Sequence, residues 1–322
     1  MFKPLAQSID WLLSMTLARF VRPRGDVPRP AAVPRDPGEL KWPEALVPAL
    51  KPTTSPGGKS PLGPAPAGEP CWEFSCASPI TSLWETNQNM RGLVLGPPDA
   101  TKAVIVLHGA YEDKYKHAVW MARCFTQQGY RAVIPAGPCH LERAPPDVFS
   151  GSPIFWSAEL FVAAMHQWLA EVRGLSGWLR REGAQHVGLY GYSLGTLVAG
   201  LAASLWDDVD FLAMLSPVGS HADAIQHSRV AARIWPWMRD LSPDQRDLLN
   251  RWAPCRRSPL VRRMAFFITR HDKLQPTRLQ EEWWDAWGRP PRRDYPHAHL
   301  SVHFCKDFYR DLGALAAEWT ND

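Results

Sequence analysis

The sequence predicts an α/β fold in which a mostly parallel sheet is covered by helices on both faces. Three observations lead there. The run Ala103-Val104-Ile105-Val106-Leu107 is continuously apolar, as a strand covered on both faces requires, rather than alternating. From that run onward, short apolar segments alternate with longer segments of helical period, the order that builds parallel strands joined by crossover helices. Between one such strand and helix lies Gly191-Tyr192-Ser193-Leu194-Gly195, a GxSxG pentapeptide suited to a sharp strand-to-helix turn that lifts a serine hydroxyl out of the sheet.

A chain of 322 residues, 45% hydrophobic, is long enough for one large domain or two smaller ones and for a sizeable core. Its 16 tryptophans are spread along the chain and are read as packing in cores and beneath helices. The net charge of +4 is small for this length, and Lys and Arg form no stripe interleaved with aromatics, so no nucleic-acid partner is expected. The densest basic stretch, Arg256, Arg257, Arg262 and Arg263, reads as a solvated face. Six cysteines, Cys71, Cys76, Cys124, Cys139, Cys255 and Cys305, show no CxxC spacing and are too sparse for a disulfide scaffold, which fits reduced thiols in a cytoplasm. No run approaches the ~18 to 20 apolar residues that span a bilayer, so the expectation is a soluble or at most peripheral protein of open oligomeric state.

Taken in order, residues 1–22 place Phe2, Leu5, Ile9, Leu12, Leu13, Leu17 and Phe20 at helical spacing, with Lys3, Asp10, Arg19 and Arg22 elsewhere. This predicts an amphipathic helix ending near Pro23. Docking on the body or on a partner ranks first for it, membrane-surface attachment second and an export signal third, since an uninterrupted apolar core with a cleavage site is missing. Residues 23–70 carry 13 of the 31 prolines, with Pro56-Gly57-Gly58 and the Pro-rich residues 61–68, and are expected to be a linker or extended arm without regular helix or sheet. Within it, residues 40–50 suit a helical turn lying on the body. The folded domain is then 71–322. Strands are expected at 72–78, 89–95 and 103–107, a helix at 115–128 closed by Gly129, a strand at 132–135 and a helix at 158–182. The strand 186–190 leads through the pentapeptide to a helix at 196–206. Strands at 211–215 and 264–269, a helix at 277–287 and a last helix at 299–319 complete the alternation. Two stretches break it: 136–156, rich in Pro and Gly, and 218–260, with helices at 222–238 and 242–252. Insertions after strands fall on the ligand-binding rim, so both are candidates for a lid or substrate wall, plain connection being as open for the first.

A serine hydroxyl becomes nucleophilic when a base takes its proton, and the base needs a third group to fix its tautomer. On such a sheet the chain order is serine, acid, histidine. The strand 211–215 is followed by Ser216-Pro217, which offers no carboxylate, whereas 264–269 is followed by Arg270-His271-Asp272. Asp272 is therefore the expected acid, its plain alternatives being a helix N-terminal carboxylate or a partner for Arg270. His271 reads as a loop residue. For the base, Pro296-His297-Ala298-His299-Leu300-Ser301-Val302-His303 supplies three histidines; His299, where loop gives way to helix, is preferred over His297, and His303 reads as core or surface. His299 and His303 are four apart, but no HExxH pattern or cysteine pair accompanies them, so no metal is expected. The oxyanion donors are expected from the N–H of Leu194 and from the loop His108-Gly109-Ala110-Tyr111, with Ala110 first and Tyr111 next, and His108 as a structural hydrogen-bonder.

With these pieces in place, the chain resembles the α/β-hydrolase superfamily over about residues 71–322. The resemblance rests on the strand followed by His108-Gly109, the elbow Gly191-Tyr192-Ser193-Leu194-Gly195, Asp272 after a late strand and His299 ahead of the last helix. It implies an α/β-hydrolase fold with a sheet of about eight strands, an esterase-type mechanism, no cofactor, and a helical lid inserted after the sixth strand, where 218–260 falls. Residues 135–143, the long helix after them and the elbow look like a branch of abhydrolase-domain proteins. The superfamily's small-residue pair before the histidine is replaced by His297-Ala298, which leaves His299 and His297 both open as base. The activity so implied is serine hydrolysis of a small-molecule or lipid carboxylic ester through an acyl-enzyme, with thioester and amide substrates sharing the chemistry. A hydrolase-fold binding protein with little or no turnover, using the Pro-rich arm and Trp-rich surface, is the alternative.

Overall fold

The computed structural model describes residues 3–23, 25–55 and 68–319, with side chains except those of residues 3–7, 9, 13 and 14. In order the elements are α1 (Lys3–Phe20), β1 (Ala49–Pro52), β2 (Cys71–Ala77), β3 (Asn89–Leu95), β4 (Lys102–Leu107), α2 (Lys116–Thr126), β5 (Arg131–Pro135), α3 (Ala158–Arg181) and β6 (His186–Tyr192). Then follow α4 (Leu194–Leu205), β7 (Phe211–Leu215), α5 (His221–His227), α6 (Arg229–Ile234), α7 (Pro243–Arg251), β8 (Arg263–Thr269), α8 (Thr277–Ala286), β9 (Arg292–Tyr295) and α9 (Lys306–Glu318).

The apolar run of β4 lies at the centre of a nine-stranded sheet of order β1-β2-β3-β5-β4-β6-β7-β8-β9. Strands β5, β4, β6, β7, β8 and β9 are mutually parallel, and β1, β2 and β3 extend the sheet antiparallel. Residues Ala103, Ile105 and Leu107 point into the core under α3 and α4, while Val104 and Val106 point into the core under α2 and α9. That two-sided burial, worth about 1.5–3 kcal/mol for each large aliphatic side chain, is why β4 is apolar at every position rather than every second one. From β4 the chain first adds β5 on one side and then β6 on the other, so the sheet reverses its winding between β4 and β6. At that reversal the loops leaving the two C-terminal strand ends diverge and open a crevice.

Several expectations need correcting. The sheet has nine strands rather than about eight, because β1 forms within the Pro-rich arm, pairing Leu50 with Phe74 and ending at Pro52. An edge strand tolerates proline, and its four exposed residues carry no alternating pattern to betray it. The arm's 40–50 stretch is no helical turn; it runs extended over α3, where Leu46 N–H donates to Gly174 O at 2.9 Å and Gly177 leaves room for the Glu44 carbonyl. Strand β9, Arg-Arg-Asp-Tyr, was not expected, since three of its four residues are partly or wholly exposed and charged. The helix expected over 222–238 is broken at Ser228, whose extended backbone starts α6 and whose hydroxyl donates to Lys273 O at 2.5 Å. The last helix starts at Lys306, not at 299, since Cys305 is extended and a single 3₁₀ turn spans Ser301–Phe304. Helix α1 is turned differently from its sequence pattern: Asp10 is 3% exposed, whereas Leu12 is 59% and Phe20 52% exposed. Phe2, Pro56-Gly57-Gly58 and 61–67 lie outside the described residues, as do the side chains of Leu5, Ile9 and Leu13. The six cysteines form no disulfide. Arg256, Arg262 and Arg263 are exposed, as a solvated face requires, and Arg256 and Arg257 pair with Asp223 and Asp36.

Candidate active site

Strand β6 ends at Tyr192 and α4 begins at Leu194, so Ser193 alone turns the chain, at φ 51° and ψ −117°. Such a conformation costs an L-residue about 1–3 kcal/mol and is kept only where the surroundings enforce it. Here the enforcement is close packing of α4 against the strand ends. A Cβ on Gly191 would stand 2.7 Å from Gly195 O and 2.8 Å from Thr196 Cα, and one on Gly195 would collide with the Leu107 carbonyl of β4. The two glycines of the pentapeptide thus let the elbow fold, and the elbow presents Ser193 at the reversal of the sheet.

Three side chains from three strand ends meet there. Ser193 Oγ lies 2.7 Å from His299 Nε2, and His299 Nδ1 lies 2.7 Å from Asp272 Oδ2. Asp272 follows β8, and His299 stands in the loop after β9. Asp272 is held from both sides: Oδ1 accepts from the N–H groups of Leu274 and Gln275 at 2.9 and 2.7 Å, and Oδ2 accepts from Thr269 Oγ1 at 2.9 Å and Gln280 Nε2 at 3.2 Å. Tyr192 OH donates to His299 O at 3.0 Å, which pins the histidine loop to the strand that leads to Ser193. Burial opposes charge on His299, but the Asp272 carboxylate, by charge and hydrogen bond, and then Asp10 outweigh it and raise its pKa above the usual histidine value. An imidazole so placed can accept a proton from Ser193 on one nitrogen while donating to a fixed carboxylate on the other.

His297 does not join this cluster; its Nδ1 is 3.3 Å from Ser301 Oγ. His271 pairs through its backbone with His297 O. His108 is buried, with Nε2 accepting from Gly137 N–H at 2.9 Å and Nδ1 2.7 Å from Gly109 O. Burial lowers its pKa, and the neutral ring so favoured, with Nδ1–H as donor, braces the loop that carries Ala110. Ala110, Tyr111, Ser193 and Leu194 line one pocket with His299, of about 270 Å³. Leu194 opens α4, where a first-turn N–H has no partner within the helix. The pocket walls are mainly apolar. Phe149 and Phe155 come from the stretch 136–156, and Val218, Ile234 and Trp235 come from the insertion 218–260 that roofs the site. Trp235 Nε1 donates to Tyr111 OH at 2.5 Å and joins roof to wall.

Sequence reasoning missed Asp10, whose Oδ2 accepts from the N–H groups of Lys273 at 3.0 Å and His299 at 3.3 Å. An acid in an otherwise apolar helical stretch was the available signal. It also missed Glu112 and His117, which with His303 bring possible metal-ligand atoms within 4.8 Å of one another. The His117 and His303 rings stack, with centroids 4.1 Å apart and planes 8° apart. Imidazole lone pairs lie in the ring plane, so two stacked rings direct them along parallel planes and do not converge on one ion.

The family model for alpha/beta hydrolase domain containing 18 matches residues 89–235, somewhat under half of the chain. No curated protein matches the sequence. Among solved structures, an acetyl xylan esterase from Paenibacillus sp. R4 is similar with TM-score 0.56 and 14% identity, covering 95% of this chain and 93% of that one. An esterase from Pyrobaculum calidifontis gives 0.54 and 16%, covering 100% of this chain and 94% of that one. An acylaminoacyl peptidase from Pyrococcus horikoshii gives 0.54 and 11%, covering 86% of this chain and 41% of that one. Identities this low carry the fold and nothing finer. No helix among the described residues is long and apolar enough to cross a membrane. The sheet order, the elbow at Ser193 and these matches give the chain the α/β-hydrolase fold.

Proposed function

We propose that the protein is a serine hydrolase that cleaves a carboxylic ester through an acyl-enzyme. The observation that carries this reading is the unbroken relay of two 2.7 Å contacts from Ser193 through His299 to Asp272. In the first half-reaction Ser193 Oγ attacks the ester carbonyl and His299 Nε2 takes its proton. Asp272 holds the imidazolium, and the N–H groups of Leu194 and Ala110 receive the oxyanion. Collapse breaks the ester C–O bond, and His299 returns the proton to the departing alcohol. Water, activated by the same histidine, then releases the acid and restores Ser193. The pocket of about 270 Å³ lies at the small end of ligand sites, which run about 300–1,000 Å³, and favours a short acyl group. The acetyl ester for which the structurally similar Paenibacillus acetyl xylan esterase is named agrees with that size.

The wild-type protein should react with a fluorophosphonate probe and turn over p-nitrophenyl acetate, and Ser193→Ala should do neither while unfolding at the wild-type temperature. Equal labelling of variant and wild type rejects Ser193 as nucleophile. A wild type that neither labels nor turns over favours the binding reading instead.

A further inference from the structure

The N-terminal helix contributes a second carboxylate to the site. Asp10 is 3% exposed although it belongs to a helix packed on the outside of the roof, along α6. Its Oδ2 accepts from two backbone N–H groups that belong to different loops, that of Lys273, next to the acid, and that of His299 itself, at 3.0 and 3.3 Å. Among the described residues its Oδ1 is buried with no hydrogen-bond partner. A carboxylate half satisfied in a buried place costs free energy, so a purely structural tie would be better made by a neutral amide or hydroxyl. Persistence of the charge there points to a use for the charge. Helix α1 also sends Leu17 into the pocket lining, so the helix borders the substrate as well as the relay.

We propose that Asp10 is a positioning residue of the site: it fixes the Asp272 and His299 loops against one another and adds a second negative charge that supports the His299 imidazolium. This rests on the serine-hydrolase reading, since His299 must gain a proton for the charge to matter. The charged and titratable groups around Asp10 are few. Asp272 and His299 face it from the loops after β8 and β9, and Tyr192 lies beside them on β6. Lys273 turns its own side chain outward to solvent, and α6 brings Arg233 over Trp11 on the neighbouring face of α1. Burial, then the Asp272 charge, push Asp10 up to about 6, so the carboxylate is ionised where the relay would operate and neutral in mild acid.

The test separates charge from hydrogen bonding. Asp10→Asn keeps an oxygen for both N–H groups but carries no charge, and Asp10→Ala keeps neither. For Asp10→Asn the acid limb of the kcat/KM profile should move to lower pH by roughly half a unit to one unit, because His299 loses one of two supporting charges, and plateau kcat should fall ~3- to 10-fold. For Asp10→Ala kcat should fall further, by ~10-fold or more, with KM within ~2-fold of wild type. The His299 imidazole pKa, read by NMR on the folded full chain, should drop in Asp10→Asn by the same amount as the kinetic limb. A wild-type His299 titration in Asp10→Asn overturns the charge role, and wild-type kcat in Asp10→Ala overturns the positioning role. The NMR readout needs no turnover, so it decides the point about Asp10 even if Ser193 fails to label and the hydrolase reading falls.

Discussion

At Asp272 every lone-pair direction is already taken by a donor. Two backbone N–H groups bind Oδ1, and Thr269 Oγ1, Gln280 Nε2 and His299 Nδ1 surround Oδ2. In Asp272→Asn the side-chain NH2 must replace one of these oxygens, so donor meets donor whichever way the amide turns. The relief available is the other His299 tautomer, with Nε2–H aimed at Ser193 and unable to take its proton. We expect kcat to fall by about 10³–10⁴, with probe labelling slowed to match. The same geometry sets a pH dependence. On the proposed mechanism His299 must be neutral to act as base, and its pKa is raised, so kcat/KM should be lost as pH falls through a midpoint above the usual histidine value of about 6.5. Asp10 has the opposite sign for stability. Its folded pKa of about 6 lies above the ordinary carboxylate value of 3.8, so the folded state binds the proton more tightly and pays for ionisation above pH 6. Asp10→Asn should therefore stabilise the fold by about 1–3 kcal/mol at pH 8, with the gain shrinking as pH approaches 4, as urea melts at several pH values would read. Ser193, Asp272 and His299 were legible in the sequence because each is a polar residue just past an apolar strand or at the last loop. Asp10 was not, because its partners lie 263 and 289 residues away and no local pattern encodes them.

Among elements, legibility followed burial. The strands at 89–95 and 211–215 were read with the bounds that β3 and β7 have, since β7 is an apolar run throughout and β3 ends in one, Leu93-Val94-Leu95, closed by Gly96. The edge strands β1 and β9 escaped because an edge strand here is exposed, and exposure removes the apolar signal. The loop between β5 and α3 is tied down by groups no periodicity reveals. Arg143 and Glu171, both fully buried, face one another through two bonds of 2.7 and 2.8 Å, and Glu171 also accepts from Ser78 Oγ at 2.7 Å and Gln167 Nε2 at 3.2 Å. Arg143 donates further to Ala136 O and Asn87 O, so one ion pair joins α3, the wall of the pocket and the start of β3. Glu171→Gln would leave the guanidinium buried without its counter-charge and should lower unfolding free energy by about 3–5 kcal/mol in urea. Pairing it with Arg143→Met should recover much of that loss, since the cost arises from the orphaned charge more than from the missing contact.

Across the whole molecule, the first 70 residues behave as two devices with different jobs. Residues 23–70 look expendable by composition, yet they are bonded to the body at many points. Trp42 packs edge-on against Trp206 at 5.6 Å, Trp252 Nε1 donates to Pro34 O at 3.1 Å, and Asp36 pairs with Arg257 at 2.6 Å. Glu69 also supplies the carboxylate for Arg123 at 3.0 Å, in an ion pair buried on both sides. Helix α1, by contrast, bonds to the site itself through Asp10, stacks Phe20 on Phe149 of the wall, and is followed by Val21, whose O accepts from Trp156 Nε1 at 3.0 Å. Two truncations separate these roles. Removal of residues 1–22 takes Leu17 and Val21 from the edge of one core but leaves the sheet covered by its own helices, so it should leave a cooperatively folding chain of somewhat lower stability and reduce kcat at least as far as Asp10→Ala, by ~10-fold or more. Removal of residues 1–70 takes Glu69 from the buried Arg123 and uncovers α3 where Leu46 and Trp42 lay, so it should cost several kcal/mol, about 3–5 from the broken ion pair alone. Thermal melts and p-nitrophenyl acetate turnover on the two truncations read these outcomes side by side: a merely tethering arm would leave the shorter chain as stable as the wild type, and a merely docking α1 would leave the longer one as active.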